Sequence, residues 1–455
     1  MTPSERPFFD DSLARLVNAV KNSLGEGELQ AGVILRDASG RLSFVSANDA
    51  VSDVRRVQVE NAMKDALGVY ARPDRVIAFA DDPGAKRILN APLKLPTSIS
   101  GLDCHLVDRR IVGSGWLDAP NDSVAAPPRL VFASIKGGVG RSSALVVTAA
   151  DLARRGMNVL VIDLDLEAPG VGHLLLKNDR APRFGVVDFL VEAGLAPIED
   201  DLLDLFVGTS DLTSGSTGRV DVLPAFGTES ATHSENVLPK LSRAMVEAVS
   251  PDGDIVPVAL QLSELVRRFS ARVSYDVVLI DSRAGLAELT APAVLNLGAS
   301  VLLFGTAQRQ TIEGYRALFA SLRLLAIRDR AEARSADWRL MFKSVYAKAG
   351  VGSKDSAQAA KRYRDELYEL FADNLYDADQ GGETVDTLSF LIDDPMAPHW
   401  PLIIPFNQGF VDFDPLVVPD QLTSDFYEST FRPFLDGIDQ ILFTDEKIPT
   451  PATSE

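Results

Sequence analysis

Between residues 130 and 406, seven short runs rich in Val, Ile and Leu recur: LVFASI, NVLVIDLD, RVDVLPAF, YDVVLIDS, SVLLFGTA, RLMFKSVYA and PLIIPF. Runs of this length and composition read as strands covered on both faces, the condition inside a parallel sheet. Helical stretches separate most of them, among them RSSALVVTAADLARRG, which Gly156 should stop, and IEGYRALFASLRLLAIRDR. The expected fold class is therefore α/β, a doubly wound and mostly parallel sheet, over residues 129–443.

Ahead of it, residues 1–118 read as a smaller α+β domain. FFDDSLARLVNAVKNSL and VSDVRRVQVENAMKDAL carry apolar residues at helical spacing, and AGVILRDASGRLSFVSA reads as two strands joined at Asp-Ala-Ser-Gly. DRVIAFA and LDCHLVDRRIVGSGWL add strands. The Pro- and Ala-rich segment 119–128 reads as a linker, and 444–455 as a disordered tail.

Composition excludes several function classes. With one cysteine, Cys104, and histidines scattered at 105, 173, 233 and 399, neither a disulfide framework nor a Cys/His metal cluster can be assembled. A formal charge of −19 disfavours nucleic acid and anionic membrane as partners, because both need clustered positive charge. No apolar run is long enough to span a bilayer and the first residues lack a signal-peptide pattern, so a cytoplasmic location is expected.

The stretch FASIKGGVGRSSALVV, residues 132–147, lies where such a fold binds ligands, after the first strand of the sheet and at a helix N-terminus. The backbone of Gly137, Gly138, Val139 and Gly140 could wrap phosphate oxygens, with Ser142 offering a hydroxyl to Mg²⁺ and Ser143 a donor to phosphate. Two further strands end in carboxylates, Asp163 with Asp165 in VLVIDLDLEAPGVG and Asp281 in YDVVLIDSRAGL. Such hard oxygens suit Mg²⁺.

Together these stretches resemble the ParA/MinD ATPases. KGGVGRSS is similar to their deviant Walker A motif, in a variant with Arg at the second basic position; DLDLEAPG resembles the first switch, and YDVVLIDSRAGL the Walker B strand with the second switch. The resemblance covers residues 129 to about 440 and leaves the first domain outside. It implies ATP and Mg²⁺ as cofactors. It also implies that Lys136 reaches the phosphates of a partner subunit in an ATP-bound homodimer, that Ser142, Asp163 and Asp281 serve the metal, and that Asp165 orients the attacking water. Arg141 would stand in for the P-loop lysine; its charge suits phosphate, but its planar fork differs from an ammonium, so slow turnover is expected. Arg283 could sense phosphate or form a surface ion pair. IIPFNQGF resembles the loop bordering adenine, which implicates Pro405 and Phe406.

Such a chain is expected to be an ATP-dependent switch, with an unknown protein partner reached through residues 1–118 as a sensor or partner module. A non-hydrolysing adaptor and a partition or positioning ATPase acting on DNA or membrane are the alternatives.

Overall fold

The computed structural model describes residues 6–213, 216–249, 253–377 and 388–443; the tail 444–455 lies outside the described residues. The chain divides into two compact units, one holding the residues up to Asp118 together with Arg323–Ala336, the other holding Ala119–Leu322 together with the residues from Asp337 onward.

In the first unit, β1 (Val33–Arg36), β2 (Leu42–Val45), β3 (Ile77–Ala78), β4 (Leu95–Ile99) and β5 (Leu102–Asp108) form one mixed sheet in the order β3-β2-β1-β5-β4. The hairpin between β1 and β2 closes on Asp37, whose Oδ1 accepts the amides of Ser39 and Arg41, each at 2.9 Å, while Gly40 takes a left-handed φ of 85°. The helix Phe9–Leu24 buries Leu16, Val17 and Val20, and the helix Asp53–Leu67 buries Val59, Met63 and Leu67. Strand β4 escaped sequence reading because Leu-Pro-Thr-Ser-Ile has no clear alternation and contains a proline, which sheets tolerate at an edge. Residues 323–336 contribute Arg328, fully buried, whose Nη1 donates to the carbonyl of Leu117 at 2.6 Å.

In the second unit the strands are β6 (Arg129–Ser134), β7 (Asn158–Asp163), β8 (Gly208–Thr209), β9 (Arg219–Leu223), the small hairpin β10 (Ala248–Val249) and β11 (Ile255–Val256), then β12 (Val277–Ala284), β13 (Ser300–Gly305), β14 (Phe342–Ala349) and β15 (Leu402–Pro405). Apart from the hairpin they make one eight-stranded sheet, ordered β15-β14-β13-β6-β12-β7-β9-β8. Every neighbouring pair is parallel except β8 and β9. All seven apolar runs form strands of this α/β sheet. The additional β8 has two residues, too few for any periodicity to register. The segment 119–128 packs into this unit, Asn121 N donating to Leu295 O at 2.7 Å and Ala125 N to Gly298 O at 3.1 Å.

The chain leaves β6 in one direction for β7 and β9, returns to β12, and crosses to β13, β14 and β15 on the other side. The order thus reverses beside β6, and open α/β sheets leave their ligand crevice at the carboxyl ends there. The helix Arg141–Arg154, nearly all buried, and the helix Ser424–Phe443 cover one face. Phe304 of β13 links the layers, stacking on Phe132 at 5.7 Å and meeting Phe434 edge-on at 5.9 Å. The apolar stripe of the last helix is therefore core.

Gly437 marks how closely that helix sits on β15: a Cβ there would overlap Leu402 Cδ2. Replacing Gly by Ala inside a helix gains about 1 kcal/mol of propensity, whereas overpacking a filled core costs about 1–3 kcal/mol. Gly437→Ala is accordingly expected to lower the stability of this unit by about 1 kcal/mol in denaturant unfolding, since the steric cost outweighs the gain. A rise in stability would show that the helix is not seated on the strand.

Candidate nucleotide site

Strand β6 ends at Ser134 and the next helix begins at Arg141, so Ile135–Gly140 make the connection, turning on left-handed Gly138 (φ 73°) and Gly140 (φ 93°). Glycine reaches these values at little cost. Beyond the adjoining residues of the chain, no protein atom lies within 4 Å of where a Cβ on Gly137 or Gly138 would stand. The loop therefore leaves open space in front of a helix N-terminus, a geometry that favours anions.

Arg141, the first residue of the helix, turns inward and is buried. Its Nε donates to Asp281 Oδ1 at 2.5 Å, its Nη2 to Asp165 Oδ2 at 2.9 Å and its Nη1 to Ser134 Oγ at 3.2 Å. Ser142 Oγ donates to the other oxygen of Asp281 at 2.7 Å. Asp163 ends β7 and sits beside its register partner Asp281, which lies three residues before the end of β12 because that strand continues to Ala284. The fully buried Asp163 accepts the amides of Asp165 at 3.1 Å and Gly170 at 3.2 Å. Strand β7 ends at Asp163, and Asp165 follows in the loop beyond it.

Three carboxylates thus gather around one guanidinium, and their ionisation reflects the imbalance. Burial pushes Asp163 up to about 7, the charge of Asp281 adding to the effect and the two amides opposing it. Burial also raises Asp281, although Arg141 and Ser142 work against it. For Arg141, burial would lower the pKa, but Asp281 and Asp165 together outweigh desolvation and hold the guanidinium charged.

Among the described residues no group of three or more His, Cys, Asp or Glu side chains is arranged to hold a metal unaided. Mg²⁺ asks for less, one or two carboxylates completed by phosphate and water. Ser142 Oγ, Asp281 and Asp163 provide suitable hard oxygens, and Asp165 Oδ1 is buried without a hydrogen-bond partner. The residues present therefore fit the ion, with the qualification that Arg141 already occupies part of their charge.

Around this centre, Lys136 Nζ donates to Gln308 Oε1 at 2.9 Å. Arg283 forms an ion pair with Glu167, which joins the end of β12 to the loop after β7. Val139, Gly140 and Ser143 line a cavity of about 100 Å³ together with Pro405 and Phe406, bringing the expected base-side residues to the loop. A second cavity of about 530 Å³ opens beside Asp163, with His173, Asn178, Thr228 and Ser230 in its wall. Ser134, Glu167, Gln308 and Lys348 were missed by sequence reasoning. Each lies on a different loop or strand end, and no local spacing distinguishes them from ordinary surface residues.

Residues 128–205 match the family model ParA, described as NUBPL iron-transfer P-loop NTPase. No curated protein matches the chain. Among solved structures, McdA from Cyanothece in complex with ATP is 14% identical over 72% of this chain and 100% of that one, with a TM-score of 0.42. A ParA family ATPase from Chlorobium tepidum TLS is 16% identical over 64% and 90%, with a TM-score of 0.38. A plasmid partition protein from Borrelia burgdorferi is 17% identical over 53% and 86%, with a TM-score of 0.32. It is with the ParA family of P-loop NTPases, then, that the segment carrying the glycine loop, its helix, Asp163 and Asp165 is matched.

Proposed function

We propose that this chain is an ATP-binding, slowly hydrolysing molecular switch that dimerises with ATP and Mg²⁺ and signals to a protein partner. The observation that carries this reading is the contact of Ser142 with Asp281 at 2.7 Å, directly behind an open glycine loop at the carboxyl end of the sheet. It joins the two parts a Mg²⁺-nucleotide site needs, a hydroxyl from the loop helix and a strand-end carboxylate.

In this reading the amides of Gly137–Gly140 and the hydroxyl of Ser143 hold phosphate oxygens, Pro405 and Phe406 border the base, and Ser142, Asp281 and Asp163 serve the metal. Bound Mg²⁺ would neutralise phosphate charge and orient the terminal phosphoryl group. Arg141 is the counter-ion of Asp281 and Asp165, and on nucleotide binding it would exchange them for phosphate oxygens, leaving Asp281 able to hold Mg²⁺. Asp165, released in the same exchange, orients water. Turnover is slow because a buried, triply bonded arginine must give up its partners first. Lys136 leaves Gln308 to reach the partner subunit's nucleotide.

The hydrogen bond that occupies Asp165 favours a second reading, an adaptor that binds ATP without hydrolysing it. Iron carriage, named in the matched family, would call for paired thiolates, and this chain has only Cys104, a buried residue whose thiol burial lifts to about 11. A net charge of −19 is a sum over the chain and describes no single face, so DNA and anionic vesicles belong beside protein partners in a binding screen.

Ser142→Ala is expected to weaken Mg²⁺-dependent ATP binding in calorimetry while leaving metal-free binding nearly unchanged. Unchanged affinity in the presence of Mg²⁺ removes Ser142 from the metal site. Since the metal must meet an ionised Asp163, whose carboxyl is held near 7, the contribution of Mg²⁺ to affinity should grow as pH rises from about 6 to 8.

Arg141→Ala strands two buried carboxylates, and breaking a buried ion pair costs about 3–5 kcal/mol. The variant should therefore lose stability without nucleotide and, through the missing phosphate contact, roughly one to two decades of ATP affinity. Arg141→Lys should keep near-normal binding with an altered hydrolysis rate, whereas Asp165→Ala should bind and not turn over, as read by single-turnover hydrolysis. If Arg141→Ala binds ATP as tightly as the parent, the arginine stays with its carboxylates and never serves phosphate.

Sedimentation should give a dimer with ATP and a monomer with ADP, the difference vanishing in Lys136→Ala. One mass with ATP, with ADP and without nucleotide contradicts the switch.

A further inference from the structure

At the end of β14 the sheet loses register. Ala347 pairs with Ile404 and Ala349 with Pro405, so Lys348 is an extra residue with no partner on β15. It is also one of few non-glycine residues at left-handed φ, 54°. A bulge of this kind re-aims a side chain, and a lysine held in the left-handed region represents local strain. Strain at a residue is a reason to ask what its side chain does.

The bulge sends the Lys348 side chain across the glycine loop. Its Nζ donates to Gly138 O at 2.7 Å, and its Cε lies 3.8 Å from where a Cβ on Gly140 would stand. The residue is exposed, so this hydrogen bond adds little to stability. It also lines the cavity of about 100 Å³ between Ser143 of the loop helix and Pro405, Phe406 and Asn407 after β15. The strained backbone thus yields a solvent-facing ammonium at the seam between the loop and the base-side cavity.

We infer that Lys348 is a nucleotide-positioning residue, supplying from β14 a positive charge to the phosphates of the bound nucleotide while fixing the glycine loop through Gly138. This rests on the reading of the site as an ATP site. Two features favour phosphate over any other group. In this structure Lys136 points to Gln308 and the loop's arginine faces Asp281 and Asp165, so both must move to reach phosphate, whereas the Lys348 ammonium already lies against the loop. Holding the Gly138 carbonyl against an external ammonium also leaves the loop's amides free to face an anion.

The test exploits the strain. Asn tolerates the left-handed region better than Lys but carries no charge, so a structural role and a binding role predict opposite changes. Lys348→Asn and Lys348→Gly are expected to unfold at the same or a higher temperature than the parent, yet to bind ATP with Mg²⁺ about tenfold more weakly, a charge-assisted contact having been removed. Their binding should also depend less on salt. Lys348→Arg should restore most of the affinity. If the parent binds ATP and Lys348→Asn binds it equally well, this inference fails while the ATP site stands. A parallel fall in affinity and melting temperature that Arg does not rescue makes Lys348 purely structural and overturns it as well. If the parent itself binds no ATP in the same titration, the ATP reading falls, and this inference with it.

Discussion

Arg141 holds the ends of three strands together. It begins the helix that follows β6, and its guanidinium reaches Asp281 near the end of β12, Asp165 beyond β7 and Ser134 at the end of β6 itself. Desolvating such an arrangement is costly, and it persists because every donor that points inward meets an oxygen. The acidity pattern follows. Asp163 has amide donors but no cation of its own, and it is the carboxyl that burial lifts to about 7. One guanidinium for three acids is an incomplete neutralisation, and an added cation at this point has an electrostatic reason to bind.

That shortage gives the proposed switch its physical form. In the proposed switch Asp281 would hold Mg²⁺ once Arg141 has exchanged Asp281 and Asp165 for phosphate, so that one exchange at Arg141 would alter both the phosphate side and the water side of the site. The ion pair of Arg283 with Glu167 ties the end of β12 to the loop after β7. A lysine at position 141 could not have bonded three acceptors on three strands in one plane, which makes the arginine more than a conservative variation.

Much of this was legible in the sequence. Buried parallel strands announce themselves by continuous apolar composition, and all seven runs were found where expected because hydrophobic burial, not propensity, decides them. The loop and the carboxylates at strand ends were legible for a related reason: in this fold the position of a residue at the end of a strand is nearly its position in the site. The helix Ser424–Phe443 packs Phe431, Phe434 and Ile438 into the core, which gives its apolar stripe its cause.

What the sequence did not disclose depended on direction rather than location. The sequence puts Arg141 at the junction of the glycine loop and its helix, but whether a long side chain faces phosphate or turns back to carboxylates depends on which charges lie closer, and that is a matter of three dimensions. Lys348 is the sharper example. In the run RLMFKSVYA and the Lys-Ala-Gly that follows it reads as an ordinary solvated lysine at the end of a strand, because a bulge is a relation between two strands, and β15 begins more than fifty residues later. The same limit concealed Gln308 and Glu167, each meaningful only through the cation it holds. In this chain the strands set the site's position, and pairing between side chains distant in sequence sets its chemistry. The acidic residues are therefore readable from a motif, while the cations that balance them are readable only from the fold.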